Sequence, residues 1–523
     1  MRGWRMFVVI TLTCLLAGIA WSQPSPVFQT LVKEGDIVPG VGAVTRIDNL
    51  SVANGGVWFV EADTDNPNAD IDVVLLRNGS LYLQEGQPLP LPAGSSLDSF
   101  DSMRFANDGR ASHNFFLSGT SGTGDDSGVY LDTALVIQES DISTATAFSP
   151  GTAYIGFFGT YFNDASQILI VASVEDTAIA STVDRALVIA DVDNNGNLVS
   201  ETVIAKEGDI LPGQTERITD FGTGEHQTSW NNDGEAFYFA DLEGPTDRDG
   251  VVYKNTGLVA QEGMASPEAG RAYELLSGRS LDINNGGEYA FKANLDGSTT
   301  DDEVIVKGNS ILVREGSLIA DIAPYQITAT GTASGPVQID DNGRVLWYGD
   351  WDDPNTDYDT GLFLDSTLVV QEGVTAVDGN VIDVIYSGQD AFMMSDDGEY
   401  VIFEVDFVGG INAAVMMRLS DPTDVAEAGG LVAPLVLRAL PNPFAAETAV
   451  RFGLTKREDV DLRIFDIRGR LVTTLASGEK PAGFHDLTWS GRDDRGRSVP
   501  SGVYFLRLKA GGDEVTSRIV RMR

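Results

Sequence analysis

Lys206-Glu207-Gly208-Asp209-Ile210-Leu211-Pro212-Gly213 is one copy of a mark that returns through most of the chain. The copies are Lys33-Glu34-Gly35-Asp36, Gln84-Glu85-Gly86, Gln138-Glu139-Ser140, Lys206-Glu207-Gly208-Asp209, Gln261-Glu262-Gly263, Arg314-Glu315-Gly316 and Gln371-Glu372-Gly373. Successive Glu positions lie 51, 54, 68, 55, 53 and 57 residues apart. Self-similarity at roughly 40–50 residues, or slightly more, means stacked β units.

A second mark keeps the same period. After each Glu-Gly copy comes, in turn, Asn54-Gly55-Gly56, Asn107-Asp108-Gly109, Asn163-Asp164-Ala165, Asn232-Asp233-Gly234, Asn285-Gly286-Gly287, Asp341-Asn342-Gly343 and Asp396-Asp397-Gly398. Asn-Gly and Asp-Gly pairs accept the positive φ angles of tight turns. Strand-like runs rich in aromatic and β-branched residues follow, such as Arg344-Val345-Leu346-Trp347-Tyr348. With the runs before each Glu-Gly mark, every unit reads as about four short strands, which is one propeller blade. The seventh unit stops one strand short at Leu419, and a spare strand, Phe28–Lys33, stands near the start of the chain. That strand would complete the last blade and remove the exposed edges of the array. The fold class expected is all-β: a seven-bladed β-propeller followed by a small immunoglobulin-like β-sandwich. An open stack of the same units is the alternative.

The expected domains are a signal peptide at 1–22, the propeller at 23–421, a linker at 422–436 and the sandwich at 437–523. Arg2 and Arg5 precede an apolar run from Met6 to Ala20, as in a secretory signal, and that run is too short for a membrane span. Cys14 is the single cysteine and lies within it, so no disulfide, thiol nucleophile or cysteine metal site is expected beyond it. In an exported protein of this size that fits a bacterial surface or extracellular product. Around Pro422 the repeat gives way to polar, Gly-ending sequence, then to alternation at Val450, Phe452 and Leu454 and again at Tyr504, Leu506 and Leu508.

The chain carries a net charge of −42, distributed unevenly. Residues 431–523 hold 16 Lys and Arg against 11 Asp and Glu, and residues 23–430 carry −49. Such a body excludes nucleic acid as a partner, because that needs clustered Lys and Arg. Much of the acid recurs at one place in the blade: Asp63 and Asp65, Asp125-Asp126, Asp247 and Asp249, Asp301-Asp302-Glu303, and Asp352-Asp353 with Asp357 and Asp359. Equivalent loops of a closed propeller share one rim, which would then hold cations, bind a cationic partner or simply be solvated. The best metal candidate is calcium at Asp191, Asp193 and Asn195 with Glu201, where oxygen side chains alternate before Gly196. The final Glu is one position short of the helix–loop–helix pattern and the flanks look like strands, so a plain hairpin is the competing reading. The repeated Glu of the Glu-Gly mark reads chiefly as a cap on backbone N–H groups.

Catalytic motifs are few. The three histidines, His113, His226 and His485, are scattered, and no Gly-x-Ser-x-Gly elbow or phosphate-cradling Gly loop is present. Trp230, Trp347 and Trp351 would stack on sugars or pack between blades. These features favour a binding or scaffold module for an extracellular glycan or protein ligand. The alternatives are a carbohydrate-active lyase or hydrolase and a structural surface-layer element.

The tail carries Pro441-Asn442-Pro443-Phe444, Leu462-Arg463-Ile464-Phe465-Asp466-Ile467-Arg468-Gly469-Arg470-Leu471-Val472, Gly483-Phe484-His485, Trp489-Ser490-Gly491-Arg492-Asp493 and Pro500-Ser501-Gly502-Val503-Tyr504-Phe505. Residues 437–523 thereby resemble the C-terminal sorting domain of type IX secretion cargo, itself similar to the immunoglobulin-like domain of the flagellar hook-capping protein. The resemblance implies a secretion machinery as partner, and a secreted or outer-membrane-surface location in a Gram-negative-type bacterium. An accessory sandwich with no sorting role is the other reading. The propeller part resembles uncharacterised tandem-repeat proteins of secreted bacterial origin.

Overall fold

The computed structural model describes residues 26–107, 109–179, 184–419, 437–440, 444–445, 447–454, 458–480, 483–511 and 513–522. The expected signal segment with Cys14, the expected linker at 422–436, Asp108, Pro441-Asn442-Pro443 and the terminal Arg523 lie outside the described residues.

Residues 26–419 form seven separate antiparallel sheets in chain order. Six take their strands from residues 37–84, 96–138, 154–206, 218–261, 273–314 and 327–371. The seventh takes residues 376–419 and adds Pro26–Lys33 as its outer strand, antiparallel to Ile411–Leu419, with Pro26 opposite Leu419 and Lys33 opposite Ala413. The all-β propeller class read from the repeat is what the chain adopts.

Each sheet buries both faces, so its middle strands read as almost unbroken apolar runs. Gln167–Val174 is buried from Ile168 onward. Alternate residues of one strand therefore enter two different cores: Ile168 and Ile170 face the second blade, while Leu169 and Val171 face the fourth. Seven such inter-blade cores go round the ring. One of them joins Met393, Ile402 and Met416 of the last blade to Val44, Ile47 and Val60 of the first, which closes it.

The Glu-Gly turn has a demanding backbone. Gly208 sits at φ +83° and Gly373 at +65°; Ser140 at +71° is the copy that keeps a side chain. The motif carboxylates cap backbone N–H groups of their own blade: Glu85 accepts from Val73, Glu139 from Asp126 and Ser127, Glu262 from Gly250, and Glu315 from Asp302 and Glu303.

In four blades the inner strand is broken in two. The halves are Ile218–Phe221 and Thr228–Trp230, Tyr273–Leu275 and Leu281–Ile283, Ile327–Ala329 and Val337–Ile339, and Asn380–Ile385 and Phe392–Met394. Both halves pair with the same second strand. The interruptions carry Gly222, Gly224, Gly278, Gly331, Gly335 and Gly388. Strand alternation puts the Asn/Asp turns on one face. The Glu-Gly turns and the acidic loops that follow each second strand lie on the other.

Residues 437–522 form a second unit with its own core, a sandwich of two sheets. One holds Leu437–Leu440, Thr448–Leu454 and Gly483–Trp489; the other holds Leu471–Lys480, Glu458–Asp466, Gly502–Ala510 and Asp513–Arg521. Val450, Phe452, Leu462, Ile464, Leu506 and Leu508 fill the space between them. Among the described residues no helix is long and apolar enough to cross a membrane.

Candidate functional site

The axis is where the inner strands converge, and side chains close it at two levels. At the turn face the Asn/Asp side chains hold one another in a chain. Asp164 accepts from the Asn107 backbone N–H at 2.7 Å, Asn232 from Asp164 at 2.7 Å, Asn285 from Asn232 at 2.8 Å and Asp341 from Asn285 at 3.0 Å. The amides of Asn107 and Asn285 both donate to Asp396, at 3.3 and 3.2 Å. The turns need short side chains with an acceptor for this purpose as well as for their own geometry.

The second level lies deeper and crosses the channel. Arg104 of the second blade donates to Glu225 of the fourth at 3.4 Å, both side chains being largely buried. Tyr161 of the third blade donates its hydroxyl to the Glu225 carbonyl. His226 Nε2 bonds the Gln389 carbonyl of the seventh blade at 2.7 Å. Asp390 follows, and its carboxyl is raised well above the ordinary range, by burial first and then by the hydrogen bond it shares with Glu225. Burial opposes the Glu225 charge, yet Arg104 and the Asp390 hydrogen bond hold that carboxyl below its ordinary range. At neutral pH Asp390 keeps the proton and Glu225 the charge. Burial, then Arg104, lowers His226 to about 4, so the imidazole is neutral.

A cavity of about 110 Å³ lies on the axis between these levels, with Arg104, His226, Asp282, Asn285, Asp341 and Asp396 in its wall. It has room for several waters but falls short of the ~300–1,000 Å³ usual for organic ligands. Asp282 is held by the Ser229 hydroxyl at 2.7 Å and the Ile339 N–H at 2.8 Å, and burial raises it to about 6.

Among the described residues Glu225, His226 and Asp390 form a group whose ligand-capable atoms lie within 4.8 Å of one another, the spacing a metal ion needs. The guanidinium on Glu225 favours a proton over a divalent cation there. The sequence marks His226 only as one of three scattered histidines, and it does not single out Arg104, Glu225 or Asp390. Aligning the repeat provides a signal: six residues before the turn position stand Asp48, Asp101, His226, Arg279 and Asp390. A charged or titratable group that recurs here, within the inner strand at Asp48 and Asp101 and in its interruption at His226, Arg279 and Asp390, is unusual in a β unit, and it marks the axis.

The calcium candidates sit elsewhere, on and beside the hairpin between Asp184–Val192 and Leu198–Lys206. Asp193 accepts from the backbone N–H groups of Asn195 and Asn197, at 2.8 and 2.9 Å. Asp191 accepts from Gln167 and Ser200. Glu201 accepts from Tyr154 and Thr144. The Asn195 N–H caps Asp193, and Glu201 faces away toward Thr144 and Tyr154, so these residues engage separate partners. A cation would have to replace those donors. His113 is fully buried beside Phe115, and burial holds it at about 3. His485 stacks on Phe452. Trp347 and Trp351 pack around Phe363 between blades.

The Glu-Gly face is different in character. Three residues after the motif Glu, four turns hold an exposed aliphatic side chain: Ile37 at 71%, Ile142 at 56%, Ile210 at 52% and Leu318 at 67%. Exposed Asp70, Asp247 and Asp357 stand in the neighbouring loops. Other acids of these loops serve the fold, with Asp65, Asp296 and Asp352 capping the N–H groups of Ala43, Ala272 and Gln326.

Residues 193–434 match a family of unknown function (DUF7453), and residues 442–514 match the FlgD Ig-like domain. The basal-body rod modification protein FlgD of Salmonella typhimurium is 34% identical over 79 residues, which is 14% of this chain and 34% of that protein; FlgD of Salmonella typhi matches equally. The chain thus spans about a third of the length of these curated relatives. Among solved structures, PorZ, a surface component of the type-IX secretion system of Porphyromonas gingivalis, is similar at 15% identity and a TM-score of 0.24, over 93% of this chain and 71% of that one. The α-L-arabinanase of Penicillium chrysogenum is similar at 11% identity and a TM-score of 0.29, over 76% of this chain and 99% of that one.

Proposed function

We propose that the chain is a secreted bacterial surface protein whose propeller is a binding and scaffold module and whose C-terminal domain engages the secretion machinery. The observation that carries this reading is the contrast between axis and rim. The axis is tied shut by Arg104, Glu225 and His226, while the Glu-Gly face offers aliphatic side chains among carboxylates over a broad surface. Contiguous apolar patches rimmed by polar groups mark interaction sites, and the repeat sets these four aliphatic side chains on one face. The FlgD-like match of residues 442–514 supports the role given to the tail.

A carbohydrate hydrolase is the competing reading, because Glu225 and Asp390 pair an ionised with a neutral carboxyl. Their oxygens lie within 4.8 Å and share a proton. That is closer than the ~5–5.5 Å of retaining glycosidases or the ~6.5–9.5 Å of inverting ones, and it leaves no room for a sugar between them. The test is to expose the full chain to a panel of glycans and secreted proteins. Binding without product release is expected, and Ile37→Ser, Ile210→Ser and Leu318→Ser combined should weaken it at least tenfold with an unchanged unfolding midpoint. Release of a cleaved product would sink the reading.

A further inference from the structure

The sandwich carries a five-residue turn twice. Asp466-Ile467-Arg468-Gly469-Arg470 and Asp493-Asp494-Arg495-Gly496-Arg497 share the pattern Asp-x-Arg-Gly-Arg, and they share its geometry. Asp466 Oδ1 accepts from the N–H groups of Arg468 and Arg470 at 2.9 and 3.0 Å, and its Oδ2 from Arg470 Nε at 2.8 Å. Asp493 does the same with Arg495 and Arg497 at 3.0, 2.9 and 3.0 Å. Gly469 and Gly496 sit at φ +74° and +73°, where a side chain would be strained. The two turns adjoin, because Asp494 donates its N–H to the Val472 carbonyl and accepts from the Thr474 N–H.

Each Asp neutralises the second Arg of its turn and leaves the first one out. The side chains of Arg468 and Arg495 are exposed and make no hydrogen bond or ion pair among the described residues. Ile467 at 70% and Leu471 at 47% exposure lie beside them. This end of the sandwich therefore presents two unpaired guanidinium groups, carried on backbone that Asp466 and Asp493 fix, with aliphatic neighbours. The Glu-Gly rim presents carboxylates with aliphatic neighbours. The two surfaces have the same mixed make-up and opposite charge, on a chain whose first part carries −49 and whose last part is basic.

We propose that the paired Asp-x-Arg-Gly-Arg end of the sandwich docks on the acidic Glu-Gly rim of a second copy of this chain. The inference rests on the rim being the binding face and names its partner. Guanidinium forks suit carboxylates geometrically, and a contact between two different surfaces of identical chains propagates head to tail. Sedimentation velocity of the full chain at rising concentration should show association that weakens with salt. Arg468→Glu with Arg495→Glu should weaken it at least tenfold. So should Asp70→Lys, Asp247→Lys and Asp357→Lys combined. Mixing the two reversed proteins should restore hetero-association, which neither a misfolded variant nor a generally sticky one would do. Gln in place of both arginines should give the intermediate loss, with an unchanged unfolding midpoint. A chain that stays monomeric at all concentrations, or reversed proteins that do not recover each other, would overturn the inference. If the rim aliphatic variant still loses capture of a foreign ligand in that case, the rim reading survives without it.

Discussion

Arg104 and Glu225 set the strongest residue-scale expectation. Both are buried, so removing one partner leaves an uncompensated charge. Arg104→Leu should cost about 3–5 kcal/mol in urea unfolding. Adding Glu225→Gln should recover a large part of that loss, since the stranded charge is gone. The glycines of the repeat make a graded pair. A Cβ on Gly208 meets nothing within 4 Å, so Gly208→Ala should cost only its left-handed backbone, about 1–2 kcal/mol. A Cβ on Gly373 would collide with the Asp357 carbonyl, so Gly373→Ala should cost about 3 kcal/mol or more. Equal costs at the two sites would show that the turn backbone alone decides.

At the scale of the element, the repeat was legible because its turns demand particular residues. Gly serves at most positive-φ positions, with Ser140 and Ser166 or an Asn or Asp such as Asn255 and Asp365 at others, and those demands recur every 51–68 residues. The broken inner strands were not legible, since Gly222 and Gly224, or Gly331 and Gly335, read locally as loop residues like any others. The axial closure was hidden for a different reason. Arg104 and Glu225 lie 121 residues apart and His226 and Gln389 lie 163 apart, and no local spacing encodes a contact across the ring. Pro26–Lys33 permits a test of element-scale cooperativity. Without it, Ile411–Leu419 becomes an unpaired edge. A chain lacking residues 26–33 should unfold at lower urea and elute as aggregates, the usual consequence of an open strand edge. An unchanged monomer would show that the inter-blade cores suffice.

For the whole molecule, acidity and stability are coupled. Burial first, then the neighbouring Asp72, raises Glu85 to about 7. Burial first, then Asp126, raises Glu139 to about 7, and burial raises Glu61 to about 8. These groups bind protons in the folded state that the unfolded chain gives up near its ordinary carboxylate range. Their contribution is complete below the unfolded pKa and is lost as pH rises through about 7 to 8. The urea midpoint at pH 5 should exceed that at pH 8, and Glu139→Gln should flatten the difference. A midpoint that rises with pH would mean that other groups dominate.

The outer strand of the last blade bears on timing. A ribosome makes Pro26–Lys33 first and its partner Ile411–Leu419 almost four hundred residues later. At synthesis rates of roughly 5–20 residues per second, the first segment waits tens of seconds for its place. Six blades can assemble in that interval, but the circle stays unlatched until the final repeat arrives. Until then the ring stays open at one seam, and afterwards every blade is flanked by a neighbour on both sides.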